Sequence, residues 1–166
     1  FTDGLFEVYN AEGEEFGQLW GPIFEGVNAD GTPKLADLDG DGSYCDCDAD
    51  RTVVGNGMPK FTMGFNNTFR YGNWDLSFFL RGTFGHDLVN SYRGFYENAE
   101  ITTVGNWNIV KTKYYDQSIT KAVVNSSHVE SASFVRLDNA ALGYNFKMTP
   151  GSAVSRFRVY VAGQNL

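Results

Sequence analysis

Residues 61–84 read FTMGFNNTFRYGNWDLSFFLRGTF, and their alternation decides the fold. The odd positions are Phe61, Met63, Phe65, Asn67, Phe69 and Tyr71, while the even ones are Thr62, Gly64, Asn66, Thr68 and Arg70. Period-two alternation of this length predicts one long strand with an apolar and a polar face. Gly72 and Asn73 then supply a two-residue loop, which fixes the residues that stand opposite each other. The predicted register sets Tyr71 against Trp74, Phe69 against Leu76, Asn67 against Phe78 and Phe65 against Leu80 on one face. On the other it sets Arg70 against Asp75, Thr68 against Ser77 and Thr62 against Thr83, so opposite charges and matching hydroxyls meet across the strands. Phe79 and Asn67 fall on the wrong faces of this pattern.

A second hairpin is predicted over 133–164. One strand covers 133–146, another covers 154–164, and Pro150 and Gly151 mark the turn between them. Ala140, Leu142, Tyr144 and Phe146 alternate with Asn139, Ala141, Gly143 and Asn145, but the pattern blurs from Arg136 to Asp138. Residues 85–132 hold polar and aromatic side chains without sustained periodicity and are expected to form a long loop. A further strand is expected over 16–24. Short connections near 72 and 150 thus alternate with long ones before 60 and after 85, the asymmetry of outer-membrane barrels. The strands have the roughly 9 to 11 residues that a tilted membrane strand needs. Tyr71 and Trp74 sit beside a short turn, where an interfacial aromatic girdle belongs. The fold class read here is all-β: antiparallel strands of a large transmembrane β-barrel, a partial chain of about five or six strands with long extracellular loops. The alternative is a secreted, calcium-stabilised β-sandwich that binds carbohydrate, with Phe61, Phe65, Phe69, Phe78 and Leu80 as its dry core.

Composition agrees with a β-rich chain. Among 166 residues, 14 Phe, 9 Tyr and 3 Trp accompany 19 Gly and only 4 Pro. The net charge of -7 argues against nucleic-acid binding, because a polyanion needs a basic face to release its counterions. No apolar run approaches the roughly 18 residues of a membrane-spanning helix. Residue 1 is Phe, and no basic region, apolar core and cleavage site follow it, so the chain is expected to be a piece of a longer protein that lacks its signal peptide here.

The acidity is concentrated in residues 25–58, where Glu25, Asp30, Asp37, Asp39, Asp41, Asp46, Asp48 and Asp50 face only Lys34 and Arg51. Asp37, Asp39, Asp41, Gly42, Ser43 and Asp48 fall at positions 1, 3, 5, 6, 7 and 12 of a calcium-loop pattern. A hard cation takes oxygens from alternate residues of a tightly curled loop, and Gly42 permits the sharp turn. A solvated acidic loop without an ordered ion is the competing reading. Cys45 and Cys47 are too close in sequence for an unstrained disulfide and, lacking a nearby His, are expected to be incidental thiols. His86 and His128 have no partnered nucleophile or metal motif, so no catalytic constellation is present in the sequence. Arg70, Asp75, Ser77, Arg81, Asn145 and Arg158 are the candidates for a lumen-facing set. Tyr92, Phe95, Tyr96, Trp107, Tyr114 and Tyr115 either stack on sugars, pack against a lid protein, or pack on one another.

The run GNGMPKFTMGFNNTFRYGNWDLSFFLRGTFGHDLVN at 55–90 resembles the C-terminal barrel region of the SusC/RagA family of TonB-dependent outer-membrane transporters. SFVRLDNAALGYNF at 133–146 and RVYVAGQNL at 158–166 resemble the family's next hairpin, in order. EFGQLWGPIFEG at 15–26, ADLDGDG at 36–42 and DRTVVG at 50–55 also fit, so the likeness covers most of the chain except 85–132. Against the family's usual loop, two residues are inserted between Gly42 and Arg51, which makes Asp50 a rival to Asp48 for the last ligand position. The resemblance implies a plugged barrel of roughly 22 strands in the outer membrane of a Gram-negative bacterium. It further implies contact with outer-membrane lipid, a SusD-like lipoprotein partner, coupling to TonB through regions outside this chain, and uptake of oligosaccharide or peptide without enzymatic activity.

Overall fold

Long alternating strands bring their neighbours into register before anything else in this chain does. The computed structural model describes residues 7–100, 107–121, 123–151 and 153–166. In chain order the strands are β1 (Glu7–Tyr9), β2 (Gln18–Gly21), β3 (Phe24–Val27), β4 (Pro33–Leu35) and β5 (Thr52–Asn56). The long β6 (Phe61–Tyr71) and β7 (Trp74–Phe84) follow, then β8 (Asp87–Val89), helix α1 (Ser91–Tyr96), β9 (Val129–Ser131), β10 (Phe134–Phe146) and β11 (Phe157–Gln164). They divide between two units, one of residues 59–85 and 133–166, the other of residues 1–58 and 86–132.

The first unit is a four-stranded antiparallel meander in the order β11-β10-β7-β6. Gly72, with φ +58°, makes the tight loop possible, and β6 pairs with β7 in the register that the loop length dictates, from Tyr71 opposite Trp74 to Phe61 opposite Phe84. β7 pairs in turn with β10, and β10 with β11. The ladder between β7 and β10 shifts between Leu137 and Asn139, which leaves Asp138 as an extra residue. This bulge is the cause of the blurred alternation. Before it, Val135 and Leu137 lie opposite Gly82 and Leu80; after it, Ala140, Leu142 and Tyr144 lie opposite Phe78, Leu76 and Trp74. The phase changes by one residue, and the apolar side chains stay on one face. Phe79 remains on the polar face, where its ring lies 3.2 Å from the position a Cβ would occupy on Gly64. β11 begins at Phe157, three residues later than expected, so the turn runs over 147–156.

The apolar face has no cover. Phe65 and Phe69 are 48% and 54% exposed, and Phe61, Met63, Trp74, Leu142, Phe157 and Val161 are exposed as well. A sandwich would bury these side chains in its core, and the described residues do not bury them. The polar face holds Arg70, Asp75, Ser77, Arg81, Asn145 and Arg158, by the same register.

The second unit is built from short strands. β1, β2 and β5 form one sheet, β3 pairs with β4, and β8 pairs with β9. The strand expected over 16–24 is broken instead into β2 and β3, which belong to different sheets. Pro22, which has no N–H to offer a ladder, stands at the break, and its carbonyl accepts a hydrogen bond from the Ser126 N–H at 3.0 Å. Residues 85–132, where no period was legible, hold β8, α1 and β9. Within 25–58 lie β4 and β5 as well as most of β3.

Deleting Asp138 removes the extra residue, so β10 should become a regular strand with Val135, Leu137, Ala140 and Leu142 still on one face, and the amides on either side of the former bulge should gain protection. Asp138→Asn keeps the residue count and loses only the partly exposed 3.0 Å ion pair to Arg81. It should keep the protection pattern at a cost within about 1 kcal/mol, and hydrogen exchange across 134–146 distinguishes the two.

Candidate functional site

The acidic loop is organised by backbone N–H groups that its own carboxylates accept. Asp37 accepts from Gly40 N at 2.7 Å and from Gly42 N at 2.8 Å, the latter glycine at φ +100°. Asp39 accepts from Asp41 N at 3.0 Å, and Asp41 accepts from Ser43 N at 2.9 Å. Asp50 closes the loop. It is only 1% exposed, and it accepts from Leu38 N at 2.7 Å, Asp39 N at 3.4 Å and Cys45 N at 2.6 Å. A buried carboxylate is stable only when such donors replace its water.

Carboxylate oxygens of Asp37, Asp39 and Asp50 lie within 4.8 Å of one another. Asp41 and Asp48 are not in that group, and Asp48 instead starts a 3-10 turn, Asp48–Asp50. The two-residue insertion was the only sequence signal for Asp50, and spacing alone favoured Asp48. The donors are all oxygen, the choice of a hard divalent cation, and one accepted N–H leaves a carboxylate oxygen a further lone pair. The Asp41 N–H lowers the Asp39 pKa, but desolvation and the neighbouring carboxylates of Asp41 and Asp50 outweigh it, so the net direction is upward. Crowding of like charge is what a bound cation relieves.

Cys45 and Cys47 are joined in a disulfide, which corrects the expectation of incidental thiols. The chain bends at Asp46 and Cys47 and sets the two Cα atoms 5.3 Å apart, inside the range disulfides span. With both sulfurs committed, a thiolate site for a soft metal is excluded. Asp46, between them, pairs with the buried Arg51 at 2.5 Å.

The aromatic residues of 85–132 pack largely on one another. Tyr92, Tyr96 and Trp107 form a column with ring centroids 4.7 and 5.8 Å apart, and Tyr92 and Trp107 are exposed. Arg93 lies 4.2 Å from the Tyr114 ring centroid and pairs with Glu97 at 2.9 Å and Glu130 at 2.7 Å. Tyr115 lies under Lys111. A cavity of about 250 Å³ is lined by Arg93, Glu97, Asn98, Tyr114, Asn125 and His128. Burial pushes the His128 pKa down, and the Arg93 charge adds to it, while its Nδ1 accepts from Asn125 N at 3.2 Å. The guanidinium and the carboxylates there already satisfy one another.

On the polar face of the sheet the expected set is only partly connected. Arg158 reaches Asp75 through two bonds of 3.1 and 2.5 Å, and Asn145 donates to Asp75 at 2.7 Å. Arg70, directly opposite Asp75 in the ladder, is displaced from that carboxylate. Gly143 allows it: a Cβ there would run into the Arg158 guanidinium, so the missing side chain leaves the path across β10 open.

No protein-family model matches the chain. Among curated proteins it is 31% identical over 179 residues to TonB-dependent receptor P3 of Formosa agariphila, an alignment that covers 93% of this chain and 18% of that protein. TonB-dependent receptor P26 of the same organism is 32% identical over 149 residues, 82% of this chain and 15% of that one. The chain therefore spans less than a fifth of the length of these relatives. Among solved structures, the RagAB peptide importer in its open-open state superposes with a TM-score of 0.66 at 18% identity, covering 95% of this chain and 20% of that one. The RagAB peptide transporter gives 0.65 at 19%, covering 89% and 19%. At these identities the likeness is one of fold.

The Asp50 carboxyl is held below the ordinary 3.8 of an aspartate, first by the Cys45 N–H and then, against desolvation, by the N–H groups of Leu38 and Asp39. A depressed pKa gives stabilisation that is complete above the ordinary value and lost as the pH falls through the folded-state one. Protection of the Leu38 and Cys45 amides, relative to their intrinsic exchange at each pH, should therefore hold down to about pH 3.8 and fall only below it. Asp50→Asn should accelerate exchange at both amides by about tenfold or more above pH 3.8, and by less at lower pH, where the unsubstituted carboxylate is itself neutralised.

Proposed function

From the premise that this chain belongs to the SusC/RagA family of TonB-dependent receptors, we propose that it forms part of the wall and external loops of an outer-membrane nutrient importer. The observation that carries this reading is the uncovered apolar face of a four-stranded sheet whose other face is polar. β6 and β7 have 11 residues each. Such a strand rises about 36 Å, and at a tilt near 45° it covers about 25 Å, the height of the apolar band of such barrels.

Aromatic side chains lie at both ends of that band. Trp74, Tyr144, Phe146 and Phe157 form a chain of ring contacts of 4.8, 4.8 and 5.1 Å near the short turns, and Phe61 stacks on Phe84 at 4.7 Å at the far end. Their placement suits two interfacial girdles. In this reading the short turns face the periplasm of a Gram-negative bacterium and the acidic and aromatic loops are external. Capture of oligosaccharide or peptide would occur there, beneath a SusD-like lipoprotein, with energy from TonB acting through parts of the protein beyond this chain. The relatives carry the names of receptors and transporters, and the chain's role is structural and recognitive, without catalysis.

The acidic loop takes calcium in this account, with Asp37, Asp39 and Asp50 as converging carboxylates and Asp41 and Ser43 as further oxygens of the motif. Calcium should then increase amide protection over 37–50, and Asp39→Ala with Asp41→Ala should remove that increase; an unchanged calcium response in the variant would contradict it. For the wall, Phe65→Arg in the full-length protein should cost about 2–4 kcal/mol in lipid vesicles, while Thr68→Arg on the opposite face should cost less than about 1 kcal/mol. Urea titration gives both values. In cells the first variant alone should lose growth on the imported oligosaccharide or peptide, and the reverse order would contradict the assignment of faces.

A further inference from the structure

The disulfide between Cys45 and Cys47 has a sequence separation of 2. The stabilisation that a crosslink draws from the unfolded chain grows with the length of chain it closes, and this bond closes almost none. A staple for the whole fold is the wrong role for it. Its effect lies in the loop that it shapes.

All three residues of that ring contact Asp50 or its neighbour. The Cys45 N–H donates to Asp50 Oδ2 at 2.6 Å, Asp46 pairs with Arg51 at 2.5 Å, and the Cys47 carbonyl accepts from the Asp50 N–H at 3.3 Å. Asp50 Oδ1 meanwhile accepts from Leu38 N at 2.7 Å and Asp39 N at 3.4 Å. Asp50 thus joins the start of the acidic loop to its end, and the bent ring presents the partners at that end. Asp50 and Arg51 are buried, but Cys45 is half-buried and Cys47 is exposed, so solution reaches the ring from the Cys47 side. Both sulfurs lie within 4.8 Å of an Asp50 carboxylate oxygen. A carboxylate that close disfavours a thiolate, so a thiolate formed there gains by moving away from Asp50.

We propose that the Cys45–Cys47 disulfide is a site of reversible exchange with an external dithiol, and that its reduction opens the acidic loop between β4 and β5. A thiolate of the dithiol attacks Cys47 Sγ, the bond between the two cysteines breaks, and Cys45 leaves as a thiolate that takes a proton from water. The second thiolate of the dithiol then displaces Cys47 from the mixed disulfide, and Cys47 is protonated in turn. Two electrons reach the protein, the dithiol departs as a disulfide, and the two protons it loses balance the two gained by the cysteines. The freed ring straightens, and the Cys45 N–H leaves Asp50. This inference concerns one loop within one unit and holds with or without a cation there, so it goes beyond the importer reading.

The test compares three samples of the full-length protein: purified without reductant, reduced with dithiothreitol, and carrying Cys45→Ser with Cys47→Ser, which cannot form the bond. Alkylation and mass spectrometry count the thiols, and hydrogen exchange reads the loop amides. The bond should be intact at first and should open in millimolar dithiothreitol without denaturant. Protection at Leu38, Asp39 and Cys45 should then fall by about tenfold, equally in the reduced protein and the double variant, with β6 and β7 unchanged and reoxidation restoring the loop. Two alkylated thiols before reduction would overturn the proposal, as would a bond that opens only in denaturant. So would equal loop protection in all three samples, which would leave the bond without influence on Asp50. Loss of protection along β6 and β7 as well would make the bond a staple of the whole fold and overturn the inference too.

Discussion

One constraint governs this chain: a four-stranded sheet keeps its apolar side chains together on one face and leaves them exposed. The fully buried apolar side chains among the described residues, Pro22, Pro33, Ala36 and Val124, are few, and none of them lies in the long sheet. The sheet exposes an apolar face of the kind that marks a membrane or interaction surface. Its ladder also remains open at the outer edges of β6 and β11, and closure into a barrel is the arrangement that pairs such edges in a membrane. The Asp138 bulge belongs to the same constraint. By absorbing one residue it keeps Val135 and Leu137 on the face of Leu142 and Tyr144, where a regular strand would have turned them inward.

The second unit is held by different physics. Its buried polar groups are Gln18, Asp50, Arg51, Glu97, Asn98 and Asn125, beside the small apolar set of Pro22, Pro33, Ala36 and Val124, and hydrogen bonds and ion pairs do most of the placing. Asp50 ties Leu38 to Cys45, Arg93 ties α1 to β9 through Glu130, and Asn125 caps the turn that ends at His128. Polar networks of this sort fix shape without a large core, and their geometry depends on every partner being present.

How far the sequence spoke depended on how local the cause was. The hairpin at Gly72 was readable because a two-residue loop leaves one register, and every predicted pair from Tyr71–Trp74 to Thr62–Thr83 is present. The pairing of β7 with β10 was not, because its partners are separated by a segment with no period of its own. The irregularity at Arg136 to Asp138 was visible, but its meaning required the neighbouring strand. Asp75 and Arg70 were matched by cross-strand proximity, whereas the carboxylate is taken by Arg158 from two strands away, over a glycine whose role is only its lack of a side chain. The disulfide and the inward turn of Asp50 likewise depend on the three-dimensional path of the loop.

The central claim is that the odd-numbered face of β6 lies against lipid. Single spin labels placed in turn at residues 61–71 of the full-length protein in bilayers test it most directly, by their collision rates with oxygen, which concentrates in lipid, and with a polar nickel reagent. The account predicts high oxygen accessibility at 61, 63, 65, 67, 69 and 71 and high nickel accessibility or contact with protein at the even positions. Low oxygen accessibility at the odd positions, or no alternation with period two, would contradict it.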